Sequence, residues 1–327
     1  MKKILNKLFE HKTLSQSEAK QVLVDIAAEK YNAAHMTSFL TVFMMRPITV
    51  SELAGFREAL LELAIQVDFS EFNTIDLCGT GGDGKNTFNI STLTSFIVAG
   101  TGNKVAKHGN YSVSSASGSS DMLEYLGYKF TNNEAVLKSQ LDKANICFLH
   151  APLFHPAMKA VSSVRKELGL KTFFNMLGPL VNPSRPQNQL VGVFNLEIAR
   201  IYNYLLQRTD LNYGILYSLD GYDEISLTSP FKLFTKEAER TMNPEGLGLK
   251  KLKQSDIFGG NSVEKAAEIF KNILDGSGTE AQNSVVLTNA AFALKTLDSK
   301  KSFETAYDEA KDALLGLKAK EALRLIV

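Results

Sequence analysis

The 327-residue chain has no tryptophan, only two cysteines, no excess of either charge and no apolar run near the length of a membrane helix. Composition alone gives the missing tryptophan no meaning. Cys78 and Cys147 lie far apart, each inside an apolar run and without a motif or an arranged histidine beside it. They read as reduced core thiols with a cytoplasmic address, not as a disulfide or a nucleophile. Thirty-six Lys and Arg against 35 Asp and Glu give a formal charge of +1. No global field therefore recommends nucleic acid or an anionic membrane as a partner, while a local cationic pocket stays open. A membrane span needs about 18 apolar residues in a row, and none is found. The start, MKKILNKLFEHKTLSQSEA, meets Lys7, Glu10, His11 and Lys12 too early to build a signal-peptide core. What the chain does have is apolar side chain, 44% of the total. That is enough for a large core, and the length predicts two subdomains.

Residues 1 to 70 read as an all-helical unit without strand signals. Ser15 with Glu18 and Thr49 with Glu52 each fit a capping box opening an amphipathic segment. Residues 32–45 carry Met36, Phe39, Leu40, Phe43 and Met44 at helical spacing and stop before Pro47. That stripe packs within the small domain or forms a subunit interface. From about residue 71 short apolar runs, 74–78, 104–106, 146–149, 189–193 and 213–219, alternate with helical stretches. The alternation predicts a mainly parallel sheet flanked by helices. Ligands in such sheets bind at the carboxyl ends of strands, so the loops beginning at Gly79, Lys107, His150 and Asp220 should converge. The last fifty residues, rich in Ala, Leu, Lys and Glu, read as closing helices.

The first of these loops is GTGGDGKNTFNIST, residues 79–92. Its glycines remove the Cβ atoms that would hold a ligand off the backbone, and they permit positive φ, so successive N–H groups can converge on an anion. Asn86, Thr87, Asn89, Ser91 and Thr92 add short polar donors near a helix N-terminus that itself favours phosphate. Gly79, Gly81 and Gly84 also spell the dinucleotide fingerprint, but residues 98–108 offer no carboxylate for a ribose. A P-loop is nearly spelled as well, with Asn86 where the magnesium-binding Ser or Thr belongs. Asp83 argues against both, because a bare carboxylate repels phosphate unless a cation or a sugar hydroxyl intervenes.

The second loop, KHGNYSVSSASGSSD at 107–121, offers Lys107 as a point charge and Ser115, Ser117, Ser119 and Ser120 as donors at the next helix start. The third, HPAMKAVSSVRKELGLKTFFNMLGPLVNP at 155–183, carries Arg165 near a Gly178-Pro179 turn. The fourth, DGYDEISLTSP at 220–230, holds adjacent carboxylates Asp223 and Glu224, which suit the oxygen-loving magnesium ion if they face the phosphate cradles.

With GTGGD, KHGN, HPAMK, NMLGPLVNP and the Asp223-Glu224 pair in this order and spacing, the chain resembles the anthranilate phosphoribosyltransferases nearly end to end. The resemblance implies the nucleoside phosphorylase/phosphoribosyltransferase type of α/β fold. A small helical domain, residues 1–70 completed by about 166–185, docks on an α/β domain of 71–165 and 186–327 with a mainly parallel central sheet. The active site falls in the cleft, and a homodimer forms through the helical part. Phosphoribosyl pyrophosphate is the implied donor, held by Gly79, Gly81, Gly82, Asp83, Thr87, Asn89, Ser91, Thr92, Lys107 and Ser119. Anthranilate falls to Gly79, Asn110, His155, Arg165 and Gly178, and magnesium (Mg2+) to Ser91, Asp223 and Glu224. Lys107, Arg165 and Asp83 are the implied catalytic residues. Tyr111 stands where many members carry Arg, and His150 where an aromatic or apolar residue is common.

These residue types suit the reaction. Loss of pyrophosphate from ribose C1 builds negative charge on the leaving group, which fixed cations and donors stabilise. An aromatic amine is uncharged near neutral pH, so positioning matters more than a base, and neither His108 nor His155 is assigned as one. The fork of Arg165 matches the anthranilate carboxylate. The rivals are a pyrimidine nucleoside phosphorylase of related architecture and a nucleotide-binding regulator without catalysis. The first has no need of Asp223-Glu224, and the second has no need of Arg165 and Asn110.

Overall fold

The computed structural model describes residues 1–112 and 117–327. Its contacts divide the chain into two units, one of Met1–Gln66 with Ala151–Pro183, the other of Val67–His150 with Ser184–Val327.

The first unit opens with four helices, α1 (Lys2–Phe9), α2 (Gln16–Ala27), α3 (Ala33–Met45) and α4 (Val50–Leu63). Both expected capping boxes are formed. The Ser15 hydroxyl accepts from the Glu18 amide while Glu18 returns to Ser15, and Thr49 and Glu52 do the same for α4. Each box satisfies two N–H groups that a helix start otherwise leaves unpaired. Glu52 does more than cap. It is fully buried, accepts from the Leu14 amide at 2.9 Å and pairs with the Arg46 guanidinium. Burial pushes its carboxyl up, but Arg46 and the amides of Leu14 and Thr49 outweigh that and hold it below the usual range. The apolar stripe of α3 packs inside the unit except at exposed Met44: Phe39, Phe43, Phe56 and Phe173 form one ring cluster, with Phe56 and Phe173 stacked at 4.5 Å.

The second unit begins with β1 (Thr74–Gly79), α5 (Ile90–Gly100), β2 (Lys104–Gly109), α6 (Ser119–Tyr125), α7 (Glu134–Ala144) and β3 (Ile146–His150). The chain then returns to the helical unit with α8 (Ala151–Phe154) and α9 (Lys159–Leu168). This return starts directly after β3, at Ala151, instead of near residue 166. It is tied there by Ile65 N donating to the Phe154 carbonyl and by Arg57 Nε donating to the Leu180 carbonyl. Back in the α/β unit follow β4 (Asn188–Gly192), α10 (Leu196–Leu206), β5 (Asn212–Ser218), β6 (Phe231–Phe234), β7 (Glu239–Met242), α11 (Val263–Leu274), α12 (Glu280–Leu297), α13 (Phe303–Leu315) and α14 (Lys318–Arg324).

The sheet order is β3-β2-β1-β4-β5-β6-β7, parallel through β5, with an antiparallel β6-β7 extension that the sequence pattern did not signal. Helix α5 is buried along almost its whole length and packs on β1, β2 and α12. Its all-round apolar character follows from that central place. From β1 the chain winds outward to β2 and β3, then resumes on the other side at β4. The switch point therefore lies between β1 and β4, and crevices of this kind take ligands at the strands' carboxyl ends. The terminal residues there, Gly79 and Gly192, are register partners.

Candidate active site

The acidic pair sits at that switch point. Asp223 approaches so closely that a Cβ on Gly79 would run into its Oδ2, and a Cβ on Gly192 into its backbone oxygen. Both strand ends are therefore glycine for lack of room. Gly81, Gly82 and Gly84 all have positive φ, between 65° and 74°, the conformation expected of the loop.

Two of the amides expected to face phosphate are directed elsewhere. Gly81 N–H donates to Asp223 Oδ2 at 2.7 Å, and Ser91 N–H donates to Glu224 Oε1 at 2.8 Å. The carboxylates thus take the anion positions at the loop and at the start of α5, where the helix dipole favours them. That helix begins at Ile90, so Ser91 and Thr92 lie inside its first turn instead of before it, because Phe88, Ile90 and Leu93 are drawn into the core. The Thr92 N–H has no acceptor among the described residues. Asn86 and Thr87 also serve the loop itself: Asn86 Nδ2 donates to the Gly260 carbonyl at 2.7 Å, and Thr87 forms a backbone bridge with Phe258.

Asn89 joins the two expected cradles. Its Nδ2 donates to the carbonyls of Ser117 and Gly118 at 3.1 and 3.3 Å, so the glycine loop and the serine loop lie side by side. In the second loop Ser119 Oγ donates to the Asn110 carbonyl at 3.3 Å, and Asn110 Oδ1 accepts from Tyr111 N–H at 2.8 Å. The Asn110 amide nitrogen is thereby left as its outward donor. Ser115 lies outside the described residues.

Lys107 is not in a loop. Parallel pairing of β2 with β3 runs on to Gly109 opposite His150, so Lys107 belongs to the strand and points inward, only 2% exposed. Its ammonium donates to the Leu77 carbonyl and lies 3.5 Å from Ser91 Oγ. Burial pulls its pKa down, while Asp76, Glu224 and Asp223 support its charge. It is a countercharge beneath the acidic pair instead of an open phosphate hook. Its strand neighbour His108 gives its amide to Asp76 Oδ1 at 3.1 Å. Asp76, fully buried in β1, was missed in the sequence, although a lone carboxylate in the run TIDLC is the kind of signal that could have found it.

Burial raises the carboxyl groups of Asp83, Asp223 and Glu224, and their mutual repulsion adds to the rise in Asp223 and Glu224. Three carboxyls against one buried ammonium is a donor set short of positive charge. Among the described residues no three His, Cys, Asp or Glu side chains could enclose a metal unaided. Magnesium does not ask for that, since it takes one or two carboxylates and completes its shell with water and substrate phosphate. Beneath the pair lies a cavity of about 20 Å³ lined by Leu77, Ser91, Thr94, Asp223, Glu224 and Asn289, among others. Among the described residues Thr94 Oγ1, buried there, has no partner, and neither does Thr80 Oγ1 in the glycine loop. Hard oxygen donors with unmet capacity fit the ion. Asn289, also unforeseen, braces the acidic loop by exchanging hydrogen bonds with the Ile225 backbone.

The remaining expected residues belong to the helical unit. Arg165, in the last turn of α9, lies over the Phe174 ring at 5.3 Å, and burial lowers its pKa. His155 is 4% exposed, and burial brings its pKa down to about 4, so it is neutral near pH 7. Gly178, itself exposed, opens a 3-10 turn whose Pro179 and Leu180 are buried, with nothing within 4 Å of where its Cβ would be.

Comparison with known proteins gives this geometry its place. The "Glycosyl transferase family, a/b domain" matches residues 71–319, and the "Glycosyl transferase family, helical bundle domain" matches residues 2–64. Fold and site thus define a two-domain glycosyl transferase. The anthranilate phosphoribosyltransferase of Flavobacterium johnsoniae is 60% identical over 99% of this chain and 98% of its own. The structure of the Thermus thermophilus enzyme of that name superposes with a TM-score of 0.92 at 29% identity, covering 98% of this chain and 97% of its own. The Saccharomyces cerevisiae enzyme, solved in complex with PRPP and Mg, gives 0.91 at 26% identity over 99% and 95%. The chain belongs to the anthranilate phosphoribosyltransferase family.

Proposed function

We propose that the protein transfers the phosphoribosyl group of phosphoribosyl pyrophosphate to the amine of anthranilate, releasing pyrophosphate, in tryptophan biosynthesis. The observation that carries this reading is the placement of Asp223 and Glu224 at the switch point, held by the amides of Gly81 and Ser91 directly beside the glycine loop. A nucleoside phosphorylase has no use for such a pair, and the yeast relative was solved with both the donor and magnesium.

In this reading Gly79, Gly81, Gly82, Asp83, Thr87, Asn89, Ser91, Thr92 and Ser119 line the donor site. The Thr92 N–H, lacking an acceptor among the described residues, is a donor for a phosphate oxygen at a helix N-terminus. Asp83 faces the ribose hydroxyls, which accepts its charge without phosphate repulsion. Asp223 and Glu224, with Ser91, would hold Mg2+, which supplies positive charge to the pyrophosphate as it departs. Lys107 favours the ionised form of Glu224, working against the burial and the Asp223 charge that raise it. Arg165, already oriented over Phe174, binds the acceptor carboxylate, with Asn110, His155, Gly178 and Gly79 as further acceptor contacts. His155 is buried and neutral, so it orders its segment and takes no proton. Positioning of an uncharged amine against C1 is then the main source of rate.

Two further assignments go with this reading. A second copy of the chain is the expected partner through the helical unit, where Phe9, Met44 and Met45 leave apolar side chains exposed, Met45 to 84%. Two unpaired, buried cysteines suit the cytoplasm. The test of the function is direct: with donor and Mg2+, anthranilate fluorescence should decay with stoichiometric pyrophosphate release. Cleavage of thymidine or uridine by phosphate, with anthranilate untouched, contradicts it.

A further inference from the structure

His150 closes β3 opposite Gly109, the last residue of β2, and is only 6% exposed. Its ring stacks on Phe130 at 4.4 Å and 22°, and the Tyr111 ring meets it edge-on at 4.9 Å and 81°. Its Nδ1 lies 2.9 Å from Ser120 Oγ. The two residues it holds, Tyr111 and Ser120, both fix Asn110, whose carbonyl also accepts from Ser119 Oγ. Tyr111 N–H donates to Asn110 Oδ1 at 2.8 Å, and Ser120 N–H donates to the Asn110 carbonyl at 3.2 Å. Pinning both oxygens of Asn110 leaves its amide N–H groups as the outward donors.

We propose that His150 is a positioning residue for acceptor binding: it clamps the Tyr111 ring and the Ser120 hydroxyl so that Asn110 presents its side-chain amide to the carboxylate of the acceptor. The proposal rests on the reading above, in which Asn110 contacts anthranilate. Histidine answers both demands of the position. A phenylalanine would stack between Phe130 and Tyr111 but leave the hydroxyl of Ser120, 1% exposed, unpaired. An asparagine would meet the hydroxyl but lose the ring. Burial lowers the pKa of the imidazole, so the clamp is neutral near pH 7 and puts no charge beside the acceptor. Two covering rings and low exposure also remove His150 from consideration as a base, which must reach the proton it takes.

The experiment measures KM for anthranilate and for phosphoribosyl pyrophosphate separately in the wild type, His150→Phe, His150→Asn, Ser120→Ala and the double variant His150→Phe with Ser120→Ala, with thermal unfolding alongside. The clamp predicts that His150→Phe raises the anthranilate KM about tenfold while the donor KM stays within about twofold. Ser120→Ala should reproduce several-fold of that rise, and the double variant should be no worse than His150→Phe alone, since both cut one bond. His150→Asn, which restores a partner for Ser120, should recover part of the loss. KM values that rise in step for both substrates, or that do not move, or single effects that simply add, overturn the proposal. If His150→Phe does not fold, Ser120→Ala and His150→Asn decide by the same criterion. A wild type that leaves anthranilate unchanged overturns the function itself and this proposal with it, whereas an active wild type with the wrong KM pattern overturns only the role of His150.

Discussion

The carboxylate of Asp223 fills the space that a side chain on Gly79 would need. The loop glycine and the acidic pair are therefore one construction, although 142 residues separate Gly81 from the carboxylate its amide binds.

A methyl group at that position tests the construction. Gly79→Ala should push Asp223 out of place, and kcat/KM should fall about 100-fold, as for ångström-scale misplacement of a catalytic group. Overpacking should also cost about 1–3 kcal/mol of stability, read as a lower Tm. Steady-state kinetics at saturating Mg2+ make the check, and wild-type kcat/KM in this variant contradicts the close approach.

Lys107 lies under the pair with its ammonium buried near Asp76 and Glu224. Lys107→Met keeps the stem and removes the charge, leaving the buried Leu77 carbonyl without its donor, a loss of about 1–3 kcal/mol. Urea denaturation should show that loss together with a collapse of activity. A variant as stable as the wild type would place the ammonium in solvent.

Much of this was legible beforehand, for physical reasons that differ by element. The capping boxes at Ser15 and Thr49 are local, so sequence spacing alone specifies them. The five parallel strands announced themselves as apolar runs because a sheet buried on both faces tolerates little else. Lys107 and His108 were read as loop residues because polar side chains usually end a strand, yet pairing with β3 carries β2 past them. The amides of Gly81 and Ser91 looked free for phosphate because their acceptors, Asp223 and Glu224, arrive from a distant loop. Tyr111 and His150, the two departures from the family pattern, are 39 positions apart and meet only in the folded ring contact. Nothing local marked the β6-β7 hairpin or the early return to the helical unit at Ala151.

His155 supplies a pH prediction. Its folded pKa, about 4, lies below the unfolded value near 6.5 because burial penalises the charged ring. The unfolded chain therefore binds the proton first, and stability is lost as pH falls from about 6.5, the loss reaching about 3 kcal/mol by pH 4. Above pH 6.5 the group contributes no pH dependence. Urea unfolding at pH 7 and pH 4.5 should show a smaller acid loss for His155→Gln than for the wild type. Equal losses would mean that the ring ionises freely in the fold.

Arg165→Ala removes the cation stacked on Phe174. The anthranilate KM should rise by about 10-fold or more, with the donor KM within about twofold, because a carboxylate loses its two-point partner. Equal rises for both substrates would take the acceptor role away from Arg165.

The central claim is that the Asp223-Glu224 pair and the glycine loop grip the donor together through a divalent ion. A crystal of the protein with phosphoribosyl pyrophosphate and Mn2+, recorded at the manganese edge, tests it most directly. The account predicts an anomalous peak within bonding distance of Asp223 or Glu224 and of a pyrophosphate oxygen lying against residues 79–92. Donor density in that loop with no metal at the pair, or metal bound elsewhere on the chain, would contradict it.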